Sequence, residues 1–250
     1  MIKGNTAKMN EFKLSRRLKQ VADWIDRGGT VADVGTDHGY LPVYIAKNNI
    51  SDNIIAMDVR RKPLEKAEEN IKYYGVSDKI ELRLSNGLEK LMPQEADTIT
   101  ICGMGGRLMQ SILERGSDKI TADTQLILSP QSEIREFRIY LAASGYETLR
   151  ETMLEEDGQF YVIMECVQSG ADRIAYESEE IRGEVFFRYG RLPLIEKNES
   201  LMKYLLREEK LTKRVSDRLR LHENENVKAR VSELEYDLEC IKYALKFFEK

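Results

Sequence analysis

The chain has 250 residues, 33% of them charged and 42% hydrophobic, with 39 lysines and arginines against 43 aspartates and glutamates and a formal net charge of −4. This length suits one good-sized domain with a smaller appendage, and the sequence has no run of about 18 apolar residues that would make a membrane-spanning helix. Three scattered cysteines and only two histidines argue against a disulfide framework and a zinc site, leaving no metal expected and the reducing cytoplasm as the expected compartment.

The charge is divided unevenly. Residues 1–30 carry seven basic and three acidic side chains, residues 31–170 fifteen and twenty-three, and residues 171–250 seventeen of each. The first twenty residues hold lysines and arginines but no apolar core, so a secretory signal is not expected, and Met9 is an alternative start after an extension of residues 1–8. Leu14, Leu18, Val21 and Ile25 recur at helical spacing, which predicts an amphipathic helix. Lys13, Arg16, Arg17, Lys19 and Arg27 form its wet face, a basic stripe able to meet phosphates.

The stretch VADVGTDHGYLP, Val31 to Pro42, follows: an apolar strand, a turn containing Gly35 and Gly39, and the start of a helix. Such a turn lets a ligand approach the backbone while the first helical amides face it. The spacing matches neither G-x-G-x-x-G nor the P-loop. Asp33 precedes the turn, Asp37 sits in it, and Asp58 closes the next apolar run, IIAMD. Three carboxylates repel a pyrophosphate and attract a cation, which points to S-adenosylmethionine, an adenosine with a ribose diol, a sulfonium and an ammonium. Asp58, about twenty residues on, is placed to accept the ribose hydroxyls.

Strands are predicted at Val31–Gly35, Asn53–Asp58, Ile80–Leu84, Thr98–Cys102 and Gln125–Ser129, each followed by a helix; Lys62–Tyr74 is the clearest, with Pro63 in its first turn and Gly75 just past its end. Tyr146–Leu154 and Phe160–Val167 flank the turn EEDG and read as an antiparallel hairpin. The predicted fold is therefore α/β, a Rossmann-like, mostly parallel sheet closed by an antiparallel hairpin, the plan of class I methyltransferases. Residues 168–180 turn polar and read as a linker. Beyond it, Val227, Val231, Leu234, Leu238, Ile241, Leu245 and Phe248 form a heptad seam, and Leu201, Leu205, Leu211, Val215 and Leu219 a looser helical run, with HENEN and its solvated His222 between them. A C-terminal coiled-coil hairpin is the economical reading and a longer, dimerising helix its competitor. The expected domains are residues 1–170, with the basic helix, and 171–250.

Open α/β sheets bind ligands outside the carboxyl ends of their strands. At those ends lie Asn86 and Gly87, expected at the adenine of the cofactor, and Gly103, Met104, Gly105 and Gly106, whose glycines make a poor helix start and a flat approach for a base. Ser129, Pro130 and Gln131 end the fifth strand and are expected to complete the wall. Within the turn, Thr36, His38 and Gly39 join Gly35 around the cofactor, His38 as an anchoring or lining residue rather than a base. Tyr40 either stacks on a base or packs beneath the helix.

VADVGTDHGYLP, the strand ending in GMGG, the LILSPQ strand end, the EEDG hairpin and the coiled-coil tail, in this order, resemble the bacterial tRNA (adenine-22-N1)-methyltransferases. The resemblance runs from SRRL at Ser15 to the C-terminus and is specific in the catalytic domain. It implies methyl transfer from S-adenosylmethionine to N1 of an adenine in the D-arm of tRNA. Asn86 stands where class I enzymes often carry Asp, and Gln131 where a family member can show Asn. Adenine N1 carries an in-plane lone pair and needs no dedicated base, so the catalytic positions Asp37, Gly103, Met104 and Gly105 would act by positioning and by favouring displaced charge. Tyr40, Gly106, Pro130, Gln131, Arg16 and Arg17 would meet the RNA. A small-molecule methyltransferase and a noncatalytic partner-binding scaffold of the same fold remain as alternatives.

Overall fold

The computed structural model describes residues 13–170, 180–221 and 224–249; Met9, the extension 1–8, His222 and most of the linker reading lie outside them. Seven strands, β1 (Val31–Val34), β2 (Ile54–Asp58), β3 (Ile80–Leu84), β4 (Thr98–Cys102), β5 (Gln125–Ser129), β6 (Tyr146–Glu156) and β7 (Gln159–Gln168), form one sheet in the order β3-β2-β1-β4-β5-β7-β6. β1 to β5 run parallel, and β7 is antiparallel to both β5 and β6. Every residue of β1, β2 and β5 is buried, as continuous apolar runs covered on both faces must be. Asp157 and Gly158 join β6 to β7 with φ of 50° and 75°, the two left-handed residues that a tight hairpin turn requires.

Helices α1 (Arg16–Trp24), α2 (Tyr40–Lys47), α3 (Arg61–Tyr74), α4 (Gly106–Arg115) and α5 (Ile134–Ala143) cover the sheet. No helix follows β3, contrary to the regular alternation expected from sequence. The segment to β4 is held instead by Arg83, whose guanidinium bonds the Glu95 carboxylate and the Lys90 carbonyl, while Glu95 also accepts from the Met92 amide. The strand order reverses between β1 and β4, so the crevice at their carboxyl ends is where a ligand binds in such sheets.

Two apolar cores flank the sheet. On one face Val21 of α1 and Ile25 just past its end pack with Val31, Ile127 and Ile163. The other face continues into the C-terminal helices α6 (Glu180–Tyr189), α7 (Arg191–Ile195), α8 (Glu199–Leu219) and α9 (Glu225–Leu245). Leu201, Leu205, Cys240, Ile241 and Ala244 share one cluster with Leu126, Leu128 and Met164, so the base of the tail is part of the sheet's core. Arg138 and Glu151, both buried, pair at 2.7 Å, and Arg138 also donates to the Phe187 and Arg188 carbonyls, tying α5 and β6 to the end of α6.

α8 and α9 pack along each other as a hairpin, their first turns capped by the Asn198 and Asn224 side chains. The α8 seam differs from the sequence reading: Leu211 and Val215 are exposed and Ser216 is buried. The six residues from Leu205 to Leu211 turn the helix by about 240°, whereas the eleven to Ser216 bring it round to within about 20° of Leu205.

Candidate active site

The turn after β1 is pinned to β2: the Gly35 and Thr36 amides both donate to the Met57 carbonyl, at 2.8 and 2.9 Å. Gly35 has φ 81°, a left-handed backbone that favours glycine, and a Cβ there would stand 2.2 Å from the Met104 methyl, so the turn and the loop after β4 meet here. Gly39 serves another purpose. It precedes α2 with φ 69°, and a Cβ would come within 2.9 Å of the Ala67 side chain, so its bareness lets α2 lie against α3.

Two carboxylates stand on neighbouring strands beside this turn. Asp33 is buried and accepts a 2.8 Å hydrogen bond from the Thr100 hydroxyl of β4. Burial pushes its pKa up, the Thr100 bond opposes this, and nearby Asp58 adds to the rise. The Thr36 hydroxyl faces the same carboxylate but completes no hydrogen bond and is itself buried. Asp58, 6% exposed, accepts from the Arg60 amide at 2.8 Å. These oxygens suit the ribose diol and positive charge of S-adenosylmethionine; residues 33–39 contain no lysine or arginine for a phosphate.

The remaining wall comes from the later strand ends. Ser85 closes the loop after β3, its hydroxyl donating to the Gly87 carbonyl and accepting from the Lys90 amide. Asn86 is exposed and donates to Glu89, while Gly87 is buried with the Ile112 side chain 3.0 Å from where its Cβ would lie. The loops after β4 and β5 are laced together: Gly103 amide to Ser129 carbonyl at 3.2 Å, Gln131 amide to Met104 carbonyl at 2.9 Å, and Gly106 amide to Ser132 carbonyl at 2.9 Å.

The expectation that GMGG is a poor helix start is corrected, since α4 begins at Gly106 with Gly105 as its cap. A Cβ on Gly106 would lie 2.8 and 2.9 Å from the Glu133 and Ser132 carbonyl oxygens, and one on Gly105 2.7 Å from the Ser132 hydroxyl. These glycines therefore let α4 dock on the loop after β5. Gly103, with φ 79°, instead has the ends of Gln131 and Arg17 nearest, at 3.7 and 3.8 Å, and faces the cleft. Pro130 is buried and Gln131 exposed.

Asp37 adopts φ 35° and is largely exposed, 3.7 Å from the His38 ring, which stacks at 5.5 Å on the exposed ring of Tyr40. The His38 carbonyl accepts from Asn70. Arg16 and Arg17 open α1, and the Glu156 carboxylate accepts from both their amides. Burial pushes the Cys102 thiol up to about 12, which disfavours the thiolate. Among the described residues, no group of three His, Cys, Asp or Glu is placed to hold a metal ion, and no helix is long and apolar enough to cross a membrane.

The sequence reading missed Thr100 and Tyr161, and Ser129, expected at the wall, is buried at the end of β5. Thr100 places a hydroxyl in the middle of a buried strand, a visible signal, and it is fully buried. Tyr161 looks in sequence like any strand aromatic; only the pairing of β6 with β7 brings it beneath Arg17.

An acceptor-lined glycine turn at the switch point of a sheet ending in an antiparallel hairpin defines a methyltransferase domain, and the family model described as "Methyltransferase domain" matches residues 14–164. The tRNA (adenine(22)-N(1))-methyltransferase of Bacillus subtilis (strain 168) is 34% identical over 235 residues, which cover 94% of this chain and 98% of that protein. The crystal structure of the B. subtilis M1A22 tRNA methyltransferase TrmK superposes with a TM-score of 0.82 at 33% identity, over 94% of this chain and all of that one. M. capricolum TrmK, solved with S-adenosyl-homocysteine, gives 0.78 at 28% identity over 94% of this chain and 99% of its own. The chain belongs to the tRNA (adenine(22)-N(1))-methyltransferase family.

Proposed function

We propose that this protein methylates N1 of adenine 22 in the D-arm of tRNA, using S-adenosylmethionine, in the cytoplasm. The observation that supports this most is similarity along nearly the whole chain, tail included, to the B. subtilis enzyme of that name. The cleft suits the reaction: Asp58 would hold the ribose hydroxyls, Asp33, Thr36 and the Gly35 turn the amino-acid end, and Asn86 and Gly87 the adenine.

When bound, S-adenosylmethionine supplies an electrophilic methyl on a sulfonium. The acceptor N1 already has a free lone pair, so no residue of the chain has to remove a proton from it. What the chain contributes is position, which is worth roughly 7–11 kcal/mol in well-oriented reactions. Gly103 gives the base a bare approach between the Met104 loop and Gln131, and the carboxylate of Asp37 would favour the charge that appears on the purine. N1 lies on the Watson–Crick edge, so the adenine must be unpaired and splayed out, and the His38 and Tyr40 rings offer it or a neighbour a stacking face.

Residues 1–170 would carry cofactor and chemistry, and the basic face of the tail in 171–250 would add contacts to the RNA. Methyl incorporation into tRNA with adenine 22, and none into the same tRNA with guanine at position 22, tests this reading. A protein that methylates both equally is a tRNA methyltransferase of another specificity.

A further inference from the structure

Arg17 is a cation at the cleft whose side chain has no carboxylate partner among the described residues, and its buried Nη1 has no hydrogen-bond acceptor. Its neighbour Arg16 is engaged, donating through Nη1 to the Glu155 carbonyl at the hairpin end. The Arg17 guanidinium instead lies over the Tyr161 ring, 5.1 Å from its centre, with both terminal nitrogens within about 4 Å of the Cβ position of Gly103. Ser129, paired with Cys102 across the ladder, adds a second buried polar group without a partner at this end of the sheet.

The helix that carries Arg17 is fixed at both ends. Glu156 caps α1 at the start, through the Arg16 and Arg17 amides. At the finish the Gln125 amide donates to the Trp24 carbonyl at 2.9 Å and to Glu165 at 2.8 Å, and its oxygen accepts from the Asp26 amide and the Thr98 hydroxyl. Arg150 completes the clamp by pairing with Glu165 and lying over the Trp24 ring. The guanidinium itself rests on the Tyr161 ring, and a planar fork stacked there on a clamped helix suits an oxyanion.

We propose that Arg17, backed by Tyr161 and flanked by Gly103 and Gln131, is an oxyanion-binding subsite of the methyl-transfer cleft. Its ligand is a charged oxygen of a reactant, and it rests on the methyltransferase reading above. Two sources carry that chemistry: the carboxylate of the cofactor's amino-acid part and the phosphodiester beside the target base.

The test is calorimetry on Arg17→Gln and Arg17→Lys with S-adenosylhomocysteine and with 5′-methylthioadenosine, which lacks the carboxylate, together with tRNA kinetics over a salt series. A carboxylate ligand predicts at least tenfold weaker S-adenosylhomocysteine binding in Arg17→Gln with methylthioadenosine unchanged. A phosphodiester ligand predicts both affinities unchanged, a KM for tRNA at least tenfold higher, and a salt slope flatter by about one. In either case Arg17→Lys, which keeps the charge but loses the fork, falls between, and it carries the test alone should Arg17→Gln not fold. Affinities and KM within twofold of the parent in the folded variants overturn the proposal and make Arg17 a packing group. Failure of the parent to methylate tRNA, with S-adenosylhomocysteine binding intact, speaks against the substrate reading instead.

Discussion

The Thr100 hydroxyl donates a 2.8 Å hydrogen bond to Asp33 Oδ1 across the β1–β4 ladder, holding a buried carboxylate where the two strands open into the cleft. Burial raises the Asp33 pKa, so the fold favours its neutral form. Asp33 therefore supports the folded state most fully at and below its ordinary value of 3.8, and that support is lost as pH rises through the folded-state value. Asp33→Asn keeps the shape without the charge. Its Tm is expected to gain on the parent's as pH rises from about 4 to about 7; a Tm difference that ignores pH contradicts the assignment.

Asp58 is the expected ribose acceptor. Asp58→Ala should weaken S-adenosylmethionine binding by about 1.5–3 kcal/mol, tenfold or more, as for other hydrogen bonds to charged groups. Calorimetry on the variant, with circular dichroism to confirm its fold, decides; an unchanged affinity removes Asp58 from the cofactor site.

Gly106 is a packing glycine. Gly106→Ala pushes a methyl against the backbone carbonyls of Ser132 and Glu133 and is expected to destabilise by about 1–3 kcal/mol, lowering Tm by several degrees. A variant as stable as the parent but slow with tRNA would return this glycine to the substrate face.

The tail presents a groove of about 560 Å³ on α8, lined by Lys203, Leu206, Arg207, Lys210, Leu211 and Arg214. Reversing Lys210 and Arg214 to glutamate should raise the KM for tRNA and flatten its salt dependence while leaving cofactor affinity alone. Kinetics equal to the parent's at every salt concentration would confine this face to packing. Truncation from Glu196 is a poorer probe, because it strips Leu201, Leu205 and Ile241 from the core shared with the sheet.

The strands, the hairpin and most of the helices were legible because apolar runs, glycine turns and the heptad tail are local signals. The missing helix after β3 was not, since the Arg83–Glu95 bonding that replaces it joins residues the pattern does not connect. Leu211 and Val215 misled because a looser apolar period gives no angular reference until α9 is in place. Within the site, the acids and glycines declared themselves by position after strands. The separate duties of Gly103 and Gly106, and of Arg16 and Arg17, depend on what lies opposite each, which only the tertiary structure supplies.

The central claim is the atom methylated. Unmodified tRNA incubated with the protein and isotopically labelled S-adenosylmethionine, then digested to nucleosides and resolved by mass spectrometry, reads it directly. The account predicts labelled 1-methyladenosine, mapped to position 22 in the intact tRNA. Label in N6-methyladenosine, in a methylated guanosine, or in no nucleoside at all would contradict it.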